Sequence, residues 1–260
     1  MAQADFWSKN PCGSDGTLSQ TIEQRYRMEP WLTRELRTIP KGLGKYLEVG
    51  CGQGIDSYFI CSNLKNCDDF IAIDFSTESV ARAIKFMSEA GKVFDLNTIP
   101  VFSHGDALNL NFKDAEFDFV YSMGVIHHTP YPQQAINEVF RVLKPGGQAK
   151  IFLYRRNSLK VGVAKSLRLF QRFGDKVLSK ERCIYSLLNT KKTGFFGSMF
   201  LECFGVPWME WYSKREIEDM FAMFKSLNIK PYGFNFPKFT GKEIDGHNPH
   251  GYFFMIDVAK

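Results

Sequence analysis

The segment Leu47–Gly54, LEVGCGQG, limits this chain more than any other. A short apolar strand, Tyr46 to Gly50, runs directly into glycines at 50, 52 and 54, and a helical stretch follows over about 55–65. Glycine permits the tight turn and lets backbone N–H groups approach a ligand with no Cβ between them. The helix behind the turn aims its positive end at the same point. A second apolar strand, FIAID, ends at Asp74, 20 residues after Gly54. A carboxylate at that distance can accept hydrogen bonds from both hydroxyls of a ribose. Turn and acid together predict a crevice at the carboxyl ends of the strands that holds a nucleoside-containing cofactor.

The glycine spacing narrows the choice. The dinucleotide fingerprint is GxGxxG. Here the pattern is GxGxG, with Glu48 two residues before Gly50. A carboxylate beside the turn repels a pyrophosphate and attracts an ammonium or sulfonium group. This points away from NAD and an oxidoreductase and toward S-adenosylmethionine.

The rest of the chain extends the alternation. Thr77 to Ala90 has helical spacing at Val80, Ala83, Ile84 and Met87. IPVFSH (99–104) and FDFVYS (117–122) read as strands, Gln133 to Leu143 as a helix closed by Lys144-Pro145-Gly146-Gly147, and QAKIFLY (148–154) as a fifth strand. Such alternation implies a parallel sheet with helices on both faces and right-handed crossovers. Before it, residues 1–44 suggest one or two short helices carrying Ile22, Tyr26, Trp31, Leu32 and Leu36, interrupted by Pro30 and ended by Pro40. After it, residues 157–212 read as helical, basic and aromatic with no clear strand. Ser213 to Glu216 is a capping box opening a helix with Ile217, Met220, Phe221 and Phe224 on one face. IKPYGF (229–234) and GYFFMIDVAK (251–260) read as two final strands.

These segments resemble those of class I S-adenosylmethionine-dependent methyltransferases of the type 11 branch. LEVGCGQG is similar to the family's first motif. The resemblance implies that the backbone at Gly50, Cys51, Gly52 and Gly54 holds the methionine part, with Glu48 near its amino group. FIAIDFS is similar to the second motif, implying Asp74 at the ribose and Phe75 or Ser76 beside the adenine. HGDALNLNF is similar to the adenine-end motif, implying Asp106 and Ala107 at the base. FDFVYSMGVIHHTPYP and RVLKPGG resemble the fourth strand, its loop and the turn after the next helix, and bring in Ser122 as a further cofactor neighbour. The expected fold is a Rossmann-like three-layer α/β sandwich with a seven-stranded, mostly parallel sheet whose last strand is antiparallel. The chain divides into a helical cap (1–44), a cofactor-binding core (45–156), a basic helical lid (157–212) and the remainder of the core (213–260).

The loop after the fourth strand reads Ser122-Met123-Gly124-Val125. It lacks the Asn/Asp-Pro-Pro-aromatic turn usual in methyltransferases of nucleobase amino groups, and it lacks the acid of metal-dependent catechol-type enzymes. No metal is expected, so catalysis rests on positioning and, where the acceptor must lose a proton, on a protein base. His127, at the carboxyl edge, is the first choice. Its neighbour His128 is read as a structural hydrogen-bonding residue. His247 and His250 lie in the loop 236–251, which the topology should bring over the same edge. Tyr26, Tyr154, Arg155, Trp208, Trp211 and Tyr212 are candidate substrate contacts, and Arg25 a candidate clasp for the cofactor carboxylate.

Charge completes the reading. The net charge is +5, but the stretch 155–192 carries eleven Lys or Arg against two acids. It can be a solvated helix face, a lid over an acidic substrate, or a contact for nucleic acid or anionic lipid. The favoured function is methylation of a small acceptor at oxygen or nitrogen. An acidic acceptor is the working expectation, and Lys165, Arg168 and Arg172 are the residues whose charge reversal would test it. An RNA methyltransferase and a non-catalytic cofactor-binding partner subunit are the alternatives. Nucleic acid is disfavoured by the modest overall charge. No apolar run is long enough to span a bilayer, the start of the chain lacks a secretory pattern, and six cysteines without a CxxC pair suit a reducing, cytoplasmic setting. The oligomeric state is left open.

Overall fold

The computed structural model describes residues 3–9, 16–64, 69–94, 99–179, 206–236 and 238–260. Residues 180–205 of the expected lid, with Lys180, Arg182, Lys191 and Lys192, lie outside the described residues, as do Cys12, Cys67, Cys183 and Cys203.

Strict alternation of side chains builds two cores on one sheet. In β1 (Tyr46–Val49), Tyr46 belongs to one apolar cluster, and Leu47 and Val49 to the other. The same division runs through β2 (Phe70–Asp74), β5 (Leu143–Tyr154), β7 (Phe253–Ala259) and β4 (Phe117–Met123) from Phe119 on, a register shift having turned Phe117 to the other face. Phe70, Phe119, Phe152 and Phe253 pack with Trp31 and Leu36, which flank and form α3 (Leu32–Arg37), with Ile60 of α4 (Ile55–Asn63) and with Val161 of α7 (Leu159–Leu178). On the opposite face, Val120, Ile151 and Ile256 meet Ile136 and Val139 of α6 (Pro132–Val142) and Ile217 of α8 (Lys214–Met220). Both faces are covered, as near-continuous apolar strands require.

With β3 (Val101–His104) and β6 (Ser226–Tyr232), the sheet has seven strands in the order β3-β2-β1-β4-β5-β7-β6. β7 runs antiparallel to both neighbours, and the other pairings are parallel. The order reverses between β1 and β4, and ligands of such sheets bind at the carboxyl edge at that switch.

Three local departures from the sequence reading have physical causes. The turn Lys144–Gly147 does not separate helix from strand, because β5 begins at Leu143 and absorbs it. Lys144 Nζ holds Asp118 Oδ2 at 2.6 Å, and a Cβ on Gly147 would fall 2.9 Å from the Lys144 carbonyl oxygen, with those of Phe117 and Asp118 at 3.1 and 3.2 Å. α5 (Thr77–Phe94) continues past Ala90, and an unanticipated helix α1 (Gln3–Lys9) precedes α2 (Leu18–Met28). Phe6 of α1 is fully buried.

α3 is fixed to the sheet by a buried polar cluster. Lys150 Nζ lies 2.6 Å from Asp257 and 3.6 Å from Glu35, and Tyr232 Oη donates to Glu35 at 2.6 Å. Each buried charge thereby has an opposite partner, without which its burial would be costly.

Candidate active site

Glycine geometry shapes the first half of the site. Gly50, Gly52 and Gly54 all have positive φ, at 86°, 53° and 80°. The Gly50 and Cys51 N–H groups donate to the Ile73 carbonyl at 2.7 and 2.9 Å, tying the turn to β2. A Cβ on Gly50 would fall 1.9 Å from Val125 Cγ2, whereas a Cβ on Gly52 would meet nothing within 4 Å. Gly50→Ala is therefore expected to destabilise the fold by about 3 kcal/mol or more, from overpacking plus backbone strain. Gly52→Ala should fold with a loss of about 1 kcal/mol but lose cofactor binding, because its methyl fills the open cradle. Thermal unfolding and S-adenosylhomocysteine titration of the two variants check the contrast.

Asp74 closes the turn. Its carboxylate accepts the Gly52 N–H at 2.8 Å and the Ser76 N–H at 2.9 Å. Burial raises its pKa above the ordinary value, opposed by those backbone donors and by His104. Phe75 is half exposed and stacks on His104 at the rim. Ser76 Oγ lies 3.0 Å from Ser8 Oγ of α1. Asp106 accepts the Leu108 N–H at 2.8 Å, beside the buried Ala107, directly after β3. The ends of β1, β2 and β3 thus gather Glu48, the three glycines, Cys51, Asp74, Phe75, Ser76, Asp106 and Ala107 along one edge. Ser122 borders them, its hydroxyl donating to the Val49 carbonyl at 3.0 Å.

Glu48 is the unusual member. It is buried, and the Ser57 hydroxyl donates to it. Burial and the nearby Asp56 push its pKa up to about 8, against the opposing pull of Ser57 and Arg25. The carboxyl therefore holds a proton at neutral pH and can release it when a cation arrives.

Arg25 and Tyr26 of α2 meet the same region but are already engaged. The Arg25 guanidinium grips Asp56 through Nε and Nη2, at 3.2 and 2.9 Å, and Glu29 at 2.7 Å. Tyr26 Oη donates to the Ile55 carbonyl at 3.1 Å and Tyr121 Oη to Asp56 at 3.3 Å. Glu29 in turn accepts from Tyr252 Oη at 2.5 Å. The cap is locked onto α4, β4 and the start of β7 by this network, which the sequence reading had not foreseen. A polar face on α2 opposite an acid in the first turn of α4 was its only sequence signal.

The second half of the site lies beyond β4. The loop ends in a 3-10 turn, Ile126–His128. His127 is fully buried, its ring 4.0 Å from that of Tyr154 and 4.4 Å from that of His128. Neither His127 ring nitrogen has a hydrogen-bond partner among the described residues. Burial, then His128, hold its pKa well below the usual range. The Phe152 backbone acts the other way, and Lys160 adds a weaker downward push. His128 Nδ1 lies 3.0 Å from the Trp208 carbonyl, and its ring meets Trp7 of α1. α1 therefore reaches from Ser76 to His128 across the crevice.

Other sequence candidates divide. The Tyr154 ring stacks on Phe253 at 5.0 Å. Lys160 Nζ sits 4.1 Å from the Tyr252 ring and 5.6 Å from the Tyr154 ring. Arg155 donates to the Gly251 carbonyl at 3.1 Å. Lys165 lies over Trp211 at 4.7 Å, and Trp208 is half exposed. Tyr212 pairs its backbone with Tyr154, but its side chain enters the opposite core, beside Ile217. The loop with His247 and His250 is seated on α3. Arg34 and Arg37 pair with Asp245 and Glu243, Ile244 N donates to the Pro30 carbonyl, and Gly246 packs on Trp31. His247 and His250 stand exposed, His247 beside Tyr232.

The glycine cradle, the ribose-spaced acid and this strand order coincide with a known family. Residues 47–151 match its model, described as a methyltransferase domain. Over that stretch the chain is similar to a methyltransferase domain. A demethylmenaquinone methyltransferase from Listeria welshimeri is 30% identical over 134 residues, 52% of this chain and 53% of that protein. A phosphatidylethanolamine N-methyltransferase from Cereibacter sphaeroides is 32% identical over 108 residues, 42% of this chain and 49% of that protein. The chain spans about half the length of these curated relatives. A S-adenosylmethionine-dependent methyltransferase from Thermotoga maritima has the same fold over the whole of both chains, with a TM-score of 0.64 and 16% identity. The cradle suits S-adenosylmethionine: Gly52 leaves it open, and Glu48 offers a buried carboxyl to a cation.

Proposed function

We propose that this chain transfers a methyl group from S-adenosylmethionine to oxygen or nitrogen of a small acceptor bound at the carboxyl ends of β4 and β5. When bound, the cofactor supplies an electrophilic methyl on a sulfonium centre. Glu48 and the glycine backbone would hold its methionine end, Asp74 its ribose, and Asp106 with Ala107 its base. Arg25 acts here through Asp56, by positioning α2 over α4.

The observation that carries the acceptor side is the fully buried imidazole of His127, packed against the Tyr154 and Phe253 rings at the carboxyl end of β5. A neutral ring nitrogen at the end of the loop after β4 can take a proton from an acceptor hydroxyl or ammonium. Tyr154 and Phe253 would wall the acceptor, and α1 would exclude water. Lys160 and Arg155 at the same edge favour an acceptor with an anionic group. Lys165 lies over Trp211 and Arg168 donates to the Val206 carbonyl at 2.8 Å, engagements of the same kind as those of Lys160 and Arg155, so charge reversal at each position tells them apart. The acceptors in the relatives' names, demethylmenaquinone and phosphatidylethanolamine, make lipid-like molecules the first to try. A cytoplasmic setting fits the free buried thiol of Cys51.

Radiolabelled methyl transfer to demethylmenaquinone, phosphatidylethanolamine, small amines and small carboxylates tests the reading. Transfer to none of them, with intact cofactor binding, would favour a partner-subunit role. With an active acceptor, His127→Gln is expected to lower kcat about a hundredfold with little change in KM, and to abolish the fall of kcat at low pH. An unchanged pH profile would remove His127 from the chemistry.

A further inference from the structure

We propose that the outward face of α7 docks this protein on the surface of an anionic lipid bilayer. α7 is a 20-residue helix with two apolar faces of different fate. Val161 and Ala164 are buried against the core, and Arg168 on the same side donates to the Val206 carbonyl. On the opposite side, Leu159, Val163, Phe170, Phe173 and Val177 recur at spacings of four, seven, three and four, which sets them in one stripe. Leu169 lies on its flank. These six side chains are 42% to 69% exposed. A helix lying on a globular core normally turns polar residues to water, and a contiguous exposed apolar set marks an interaction surface.

The charges beside the stripe select the partner. Lys165, Arg172 and Lys176 follow one flank, and Asp175 is the only acid in the helix sequence. An apolar stripe bordered by Lys and Arg is the pattern of a helix that lies in the headgroup region of an anionic membrane. RNA would use the cations but not four aliphatic side chains, which offer no surface for base stacking. Among the described residues no helix is long and apolar enough to cross a membrane, so the contact is peripheral. The first turn of the same helix places Lys160 over Tyr252 and Tyr154. A docked α7 therefore sets the carboxyl edge of the sheet next to the bilayer. The docking is independent of the catalytic reading above, because vesicle binding needs no acceptor.

The test is flotation of the purified full chain with vesicles of phosphatidylcholine alone or with about a third phosphatidylglycerol. Binding is expected on the anionic vesicles, reduced by high salt. Phe170→Asp with Phe173→Asp should lower the partition coefficient about tenfold or more, and Arg172→Glu with Lys176→Glu should do the same on anionic vesicles. All four positions are exposed, so thermal unfolding and S-adenosylhomocysteine affinity should match the unsubstituted chain. Equal binding to neutral vesicles, or retention by the Phe variant, would overturn the proposal. So would absence of vesicle binding together with a solution dimer that the Phe variant dissolves, which makes the stripe a self-association face. RNA binding without vesicle binding, lost in the Arg172/Lys176 variant, would overturn it in favour of nucleic acid.

Discussion

Asp74→Ala is expected to weaken S-adenosylhomocysteine binding about a hundredfold or more, since each hydrogen bond to a charged acceptor contributes about 1.5–3 kcal/mol. The carboxylate would lose two ribose hydroxyls. It would also release the Gly52 and Ser76 N–H groups that it now accepts at 2.8 and 2.9 Å. The second loss matters because Gly52 forms the open part of the cradle. Asp74→Asn separates the two effects. Its single carbonyl oxygen can satisfy one backbone donor, while its amide faces the other. Affinity between that of the native chain and that of the alanine variant is expected. Calorimetric titration, with NAD as a comparison that should bind neither protein, measures all three. Equal affinity in native and alanine proteins would sink the assignment of Asp74 to the ribose, and with it the reading of the glycine turn.

Much of this architecture was legible because period and punctuation agreed. Tyr46 to Asn63 is an apolar strand, a glycine turn and a helix in 18 residues, and no other element type satisfies that pattern. The capping box at Ser213 was equally local, and Ser213 and Glu216 exchange both hydrogen bonds. What sequence could not supply was pairing over distance. Arg25 and Asp56 are 31 residues apart, and Glu35 meets Tyr232 across 197. Nothing in either neighbourhood announces the partner. The loop with His247 and His250 shows the same limit. Topology alone set it at the carboxyl edge, but the charges of Glu243 and Asp245 found Arg37 and Arg34 on α3. Tyr212 shows another: a parallel bridge to Arg155 turned its side chain into the opposite core. α7 was legible as basic and helical, but which of its faces met the core depended on tertiary packing.

Glu48→Gln should make the protein more stable at alkaline pH and leave it unchanged near pH 4. The sign follows from proton binding. The buried carboxyl has its pKa pushed up to about 8 from an ordinary 4.5. Between those values the folded state binds more protons than the unfolded state. Unfolding free energy therefore falls as pH rises from about 4.5 to about 8, then levels. The loss is on the order of a few kcal/mol, because Ser57 and Arg25 only partly offset burial, Asp56 and Asp74. Glutamine has no charge to bury, so denaturant midpoints of the two proteins should coincide in acid and diverge in base. The same proton reports on the cofactor. A cationic ammonium or sulfonium beside Glu48 favours the carboxylate, so binding near neutrality should release a proton from the native protein and none from the variant. Calorimetric titration of S-adenosylmethionine in two buffers of different ionisation enthalpy reads that proton directly. Buffer-independent heats in the native protein would show that Glu48 does not answer the cofactor's charge, leaving the raised pKa as a cost of burial alone.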